Sequence, residues 1–261
     1  MNSSIILYIL LALATLILLP LIVRVVFYIL VWLVLIVISL FYSPSKEYEK
    51  PSVSSHKILV FGYKIICSMG RVKIHFKGID KLPGGKRFLF VSNHRSKFDN
   101  MVQTIAMKEE NLAFVSKSAN FKIPIGRRFI NRNCYINLQR KQAKSAFEMV
   151  MKAQNFIQNG ITSIGIFPEG TRSKTTELLP FKPGVFKIAQ RANCPVVVGV
   201  TKNTEKIHKN WPFKRTDVYF EIIKVYEPEE ITARNTSELA SEIEGLVRTE
   251  LEKPYFSDGT K

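Results

Sequence analysis

The chain has 261 residues, 46% of them hydrophobic, and a formal net charge of +17 from 38 basic and 21 acidic side chains. Such a length and apolar content suit one good core, and such a charge draws a protein to anionic lipid headgroups and phosphate-bearing substrates. Nucleic acid is the rival partner for that charge, but the chain carries no RNP-like aromatic strand, zinc-finger spacing or basic zipper, which excludes the common modules.

The first elements are apolar. Ile5 to Val23 and Val25 to Tyr42 form runs of nineteen and eighteen uncharged residues with only Arg24 between them. Each run would extend about 28 Å as a helix, close to one hydrocarbon thickness. Met1 to Ile5 offers no basic residue, so the pattern reads as an uncleaved membrane anchor over residues 1–43 rather than a secretory signal. One span, two spans and a hairpin turning near Pro20 and Arg24 all remain open. Lys46, Lys50, Lys57, Lys64, Arg71 and Lys73 follow closely, placing the remainder on the cytoplasmic side of the membrane. Cys67, Cys134 and Cys194 lack any metal-like spacing, fit a reducing compartment and are expected to pack in the core.

Residues 44–57 are expected to be a polar, proline-containing linker, and 58–261 a single α/β domain. Ile58 to Met69 has the pattern of an amphipathic helix, lying on the bilayer or buried in the domain. Val72, Ile74 and Phe76 alternate with polar residues as in a half-buried strand, closed by Gly78 and a Pro83-Gly84-Gly85 turn. Phe88 to Val91 is then a short buried strand, and Asn93-His94-Arg95-Ser96-Lys97-Phe98-Asp99 leaves it.

Five residues of regular helix turn the chain by roughly 500°, so His94 and Asp99 meet only if the segment bends. Ser96 and Asp99 have capping-box spacing, which starts a helix near Lys97 and folds the carboxylate back towards the imidazole. A carboxylate on one ring nitrogen fixes the tautomer and leaves the other nitrogen to take a proton from a substrate hydroxyl. No Gly-x-Ser-x-Gly elbow occurs, so the attacking group would be the substrate's own hydroxyl and the logic is transfer rather than hydrolysis.

Leu112 to Val115 is the next predicted strand, ending at Lys117. Ser145 to Glu148 resembles a capping box opening a helix with apolar positions at 147, 150, 151 and 157 and a stop at Gly160. Ile164 to Phe167 is a strand that runs into Phe167-Pro168-Glu169-Gly170-Thr171-Arg172-Ser173. A tight turn with free amides beside a guanidinium and a hydroxyl is a phosphate cradle. Glu169 is its odd member, a carboxylate suited to positioning Arg172 or a substrate hydroxyl, or to bonding amides of the turn.

A helix from Pro183 to Ala192, strands from Pro195 to Val200 and Val218 to Val225, and a helix from Ser237 to Lys253 facing inward through Leu239, Ile243, Leu246 and Val247 complete the pattern. Trp211, in a Lys209-Asn-Trp-Pro-Phe-Lys run, suits lipid contact or packing; His56, His75 and His208 are read as non-catalytic. Alternating strands and helices imply a largely parallel central sheet flanked by helices.

His94-x4-Asp99 followed some seventy residues later by Phe-Pro-Glu-Gly-Thr-Arg-Ser resembles the glycerolipid acyltransferase family. Lys117, Pro124, Gly126 and Arg140 resemble its intermediate motif, and Cys194-Pro195 to Val200 its later one, although Val198 stands where many members have a second proline. The resemblance implies that His94 is a general base oriented by Asp99. It implies that Glu169, Gly170, Thr171 and Arg172, with Lys117 and Arg140, bind a glycerol phosphate. It implies transfer of a fatty acyl group from an acyl-CoA or acyl-carrier-protein thioester to lysophosphatidic acid, with membrane lipids as partners, no nucleic acid, and no cofactor or metal. Another acceptor (glycerol 3-phosphate, another lysophospholipid or an amino lipid) and a non-catalytic lipid-binding module are the alternatives.

Overall fold

The computed structural model describes residues 3–139, 142–173 and 175–254, in two units, Met1–Ser43 and Pro44–Lys261. The first unit is one continuous helix, α1 (Ser3–Leu40), with Pro20 inside it and most side chains exposed. A break at Pro20 and Arg24 therefore does not occur. Arg24 instead leans one turn along the helix, its guanidinium donating to the Tyr28 hydroxyl at 3.3 Å. At 1.5 Å per residue such a helix is about 57 Å long, well beyond one hydrocarbon thickness.

In the second unit the helix α2 (Val53–Met69) begins within the expected linker, capped by the Ser52 hydroxyl accepting from Ser55 N. It buries Leu59, Val60, Tyr63, Ile65 and Cys67 in the domain and leaves Ser54, Lys57, Phe61, Lys64 and Ser68 as an exposed stripe. The strands are β1 (Val72–Lys77), β2 (Leu89–Ser92), β3 (Leu112–Lys117), β4 (Ile136–Leu138), β5 (Ser163–Ile166), β6 (Val196–Lys202) and β7 (Thr216–Tyr226). They form a seven-stranded sheet in the order β1-β7-β6-β2-β5-β3-β4, parallel at every pairing except β6 with β7. The helices between strands are α3 (Asp99–Ala106), α4 (Gly126–Arg132), α5 (Ala143–Gln158), α6 (Lys187–Ala192) and α7 (Ile207–Asn210), and α8 (Pro228–Thr232) and α9 (Thr236–Glu252) close the chain.

The central strands β2, β5 and β6 are buried at every position, as a parallel sheet covered on both faces requires. Their carboxyl ends lie at one edge, and that edge is where ligands bind in open α/β sheets.

Four local expectations fail. Helix α5 starts two residues before Ser145, whose hydroxyl accepts instead from Gln139 N at 3.0 Å. Its inward face is Met149, Ala153, Phe156 and Ile157, while Phe147 and Met151 are exposed. Pro183 opens a short 3-10 turn, and α6 follows it. Phe76, expected to face inward on β1, is also exposed. The three cysteines are buried thiols, with burial pushing Cys67 and Cys194 up to about 12 and Cys134 up to about 11.

Candidate active site

His94 and Asp99 meet at the carboxyl end of β2. The chain leaves Ser92, bends through Arg95 and Ser96, and enters α3 at Asp99, which is fully buried. The bend is held by the carboxylate itself. Asp99 Oδ2 accepts from the backbone N–H of Arg95 and of Ser96, both at 2.7 Å, and from His94 Nδ1 at 2.7 Å. Ser96 supplies the reciprocal half of the cap, its hydroxyl accepting from Phe98 N at 3.2 Å.

The other carboxylate oxygen, Oδ1, accepts from the hydroxyl of Thr204, just beyond β6. Both oxygens of Asp99 are thus engaged, and charge-assisted bonds of this kind are about twice as strong as neutral ones. Nδ1 carries the proton that the carboxylate accepts. Nε2 is left as the basic nitrogen, without a hydrogen-bond partner among the described residues.

The imidazole plane is fixed by a stack of rings. His94 lies flat on Phe167, centroids 3.9 Å apart and planes 8° from parallel, and Phe167 stacks on Phe114 at 5.7 Å. Phe114 has room only because residue 165 on the neighbouring strand is glycine: a Cβ there would sit 2.5 Å from the Phe114 ring.

Phe167 also begins the second constellation. Glu169 is buried, and its carboxylate accepts from the backbone N–H of His94 through Oε1 and from Leu179 N at 3.0 Å through Oε2. Ser173 N donates to the His94 carbonyl at 3.0 Å. The histidine's main chain is therefore stitched on both sides to the Pro168–Ser173 turn. Burial pushes the Glu169 carboxyl up to about 7, with the two amide donors and Arg95 pulling the other way.

Gly170 adopts φ 72, a left-handed conformation that glycine takes without strain, and a Cβ there would sit 2.7 Å from the Lys182 ammonium. Thr171 and Arg172 are exposed. Lys117 is exposed at the carboxyl end of β3, the strand next to β5, and so shares the edge on which the turn stands. Arg140 lies outside the described residues.

Three contributors were not named from sequence. Thr204 is 105 positions from Asp99, and only the adjacency of β2 and β6 brings it there. Lys182 reaches the turn by returning alongside it, its N–H donating to Pro168 O at 3.0 Å. Arg95 donates to Thr176 O, while its Nε is buried without a partner among the described residues. A basic residue next to His94 was the available signal for the last of these. No group of three or more His, Cys, Asp and Glu among the described residues is placed to hold a metal ion.

Residues 73–201 match the acyltransferase family model. A chloroplastic 1-acyl-sn-glycerol-3-phosphate acyltransferase of Brassica napus is 32% identical over 136 residues, 52% of this chain and 39% of that protein. A 1-acyl-sn-glycerol-3-phosphate acyltransferase of Saccharomyces cerevisiae is 28% identical over 162 residues, 60% of this chain and 53% of that protein. The chain thus covers less than two thirds of the length of either relative. The crystal structure of the 1-acyl-sn-glycerophosphate acyltransferase of Thermotoga maritima superposes with a TM-score of 0.62 at 25% identity, covering 76% of this chain and 78% of that one.

Proposed function

We propose that this chain, whose residues 73–201 belong to the acyltransferase family, moves a fatty acyl group from a thioester to the free hydroxyl of lysophosphatidic acid, giving phosphatidic acid. One observation carries the reading: a histidine with one nitrogen locked by a buried carboxylate and the other unpartnered among the described residues is stitched through its own backbone to a turn bearing Thr171 and Arg172. The names of the relatives supply the acceptor, and a phosphate-matched guanidinium beside the base fits it.

In the proposed reaction His94 Nε2 takes the hydroxyl proton as the acceptor oxygen attacks the thioester carbonyl. The tetrahedral oxyanion collapses, the C–S bond breaks, and the imidazolium returns the proton to the departing thiolate. Ester and free thiol are the products, with no acyl-enzyme. Asp99 stabilises the imidazolium formed on the way. Arg172, Thr171, Gly170 N–H and Lys117 hold the acceptor phosphate, so that the hydroxyl is presented at a set distance and attack becomes effectively intramolecular. Glu169 serves as the brace between the two halves.

The apolar helix α1, in which an 18-residue stretch reaches mean hydropathy 3.0, supports attachment to a membrane. The basic residues that follow it favour the cytoplasmic face for the domain. Purified chain, incubated with labelled acyl-CoA or acyl carrier protein and a panel of lysolipids, is expected to yield phosphatidic acid from lysophosphatidic acid, and His94→Ala to abolish it. Turnover only on a lysolipid without a terminal phosphate would sink the acceptor assignment. Protease access to the domain in sealed vesicles of known orientation tests its side.

A further inference from the structure

Beyond Thr204, the connection between β6 and β7 makes an excursion that nothing in the proposed chemistry uses. Lys206-Ile-His-Lys-Asn-Trp-Pro-Phe-Lys-Arg215 holds four basic residues and no acidic one, and Lys206, His208, Lys209, Trp211, Phe213, Lys214 and Arg215 are all exposed. Phe213 is 85% exposed, the most exposed large apolar side chain among the described residues, and Trp211 is 58% exposed.

The excursion is nevertheless firmly built. Ile207 is buried at its base, Asn210 Nδ2 donates to the Thr216 hydroxyl at 2.9 Å across its neck, and Lys214 N donates to Asn210 O at 2.8 Å. The indole is pinned, Nε1 donating to Met69 O at 3.2 Å, so its ring is held out at the end of α2 beside the exposed Met69. A braced loop that presents two aromatics to water inside a ring of cations has the chemistry of a membrane-interface contact. Aromatic rings settle at the headgroup level, and lysine and arginine pair with lipid phosphates around them.

We propose that residues 206–215 are a foot by which the catalytic domain stands on an anionic bilayer, with Trp211 and Phe213 in the headgroup and upper acyl layer and the surrounding cations on lipid phosphates. The exposed stripe of Lys57, Phe61 and Lys64 on α2 has the same alternation of cation and ring. Thr204 stands at the root of the foot, so the same connection that bonds Asp99 meets the lipid from which an acceptor would come. The proposal concerns contact, not turnover, and holds whichever acyl group is moved.

The test uses the full chain in vesicles. With Trp32→Phe, Trp211 is the sole tryptophan. In phosphatidylglycerol vesicles its emission should move to shorter wavelength and be quenched by lipids brominated near the glycerol, about threefold more strongly than in phosphatidylcholine vesicles, given that each cation adds to attraction for an anionic surface. Phe213→Asp, at a position too exposed to endanger the fold, should abolish most of that quenching while leaving far-ultraviolet ellipticity unchanged. Emission that neither shifts nor quenches in either vesicle overturns the proposal and gives the loop to a protein partner or to solvent. Equal quenching in both vesicles overturns its electrostatic half.

Discussion

The domain contains two histidine–aspartate pairs with almost the same bond, His94–Asp99 at 2.7 Å and His75–Asp217 at 2.8 Å. They differ in what surrounds the carboxylate. Asp99 is 0% exposed and is held by two backbone amides and the Thr204 hydroxyl as well as by the imidazole. Asp217 is 30% exposed on β7, shares its charge with the exposed Arg215, and faces a ring on the edge strand β1 that stacks on Tyr219. A base needs the first environment, because a carboxylate buried from solvent and fixed in place by other donors keeps its histidine in one tautomer and one orientation. The second is a surface ion pair, worth about 1 kcal/mol or less. A short distance between a histidine and an acid therefore says little by itself.

The sharpest way to separate the pairs is to break each. His94→Ala and Asp99→Asn are expected to lower kcat about 10²- to 10⁴-fold, whereas His75→Ala should stay within about twofold of the parent. Steady-state turnover on vesicle-borne lysophosphatidic acid reads all three, and an equal loss at His75 would end the distinction. Arg172→Ala should next raise KM for a phosphate-bearing acceptor about 10- to 100-fold with little change in kcat, the worth of a charged hydrogen-bonded contact. A loss confined to kcat would remove Arg172 from acceptor binding.

The two regions should also titrate in opposite senses. Hydrogen bonding to His75 and the Arg215 charge hold the Asp217 carboxyl below its usual range. Its stabilising contribution is present above the unfolded value and lost as pH falls through the folded one. Glu169 is raised to about 7 from 4.5, so its contribution is full below 4.5 and is lost as pH rises through about 7. The ionised form is nonetheless the one that best accepts the His94 and Leu179 amides. Turnover should accordingly climb as pH passes about 7 while unfolding by urea becomes easier, and Glu169→Gln should flatten both trends. A pH profile unchanged by that substitution would show that the limb belongs to another group.

The smallest expected effect is at the ring stack of His94, Phe167 and Phe114. Gly165→Ala would push a methyl against Phe114, and overpacking of this kind costs about 1–3 kcal/mol. A lower Tm with a several-fold fall in kcat is expected. A lower Tm with unchanged kcat would mean that the stack supports the fold and not the imidazole.

Much of the site was readable from the chain because its parts are local: His94 and Asp99 share one bend, and Glu169 to Arg172 share one turn. What could not be read depends on strand order. Nothing near Asp99 announces Thr204, and nothing near Gly165 announces the ring that fills its place; both arise only once β6 and β3 lie beside β2 and β5. The same holds for Ser145, whose hydroxyl is taken by a distant amide rather than by its own helix. The outer face of α5 shows the reverse failure, since Phe147 and Met151 are apolar yet lie away from the core. In α1, Pro20 and Arg24 left a turn open as one of three readings, but a proline removes only one donor from a helix, and the long run of ordinary intrahelical bonds on either side carries the chain past it.

The bonds from Glu169 and Ser173 reach His94 by its main chain and not by its ring. On the proposed chemistry the gap between proton acceptor and guanidinium-bearing turn is then a calliper set by the fold, indifferent to the rotamer of the histidine. Candidate alcohols would be sorted by their reach from phosphorus to oxygen, and discrimination among fatty tails would have to be made somewhere else on the molecule.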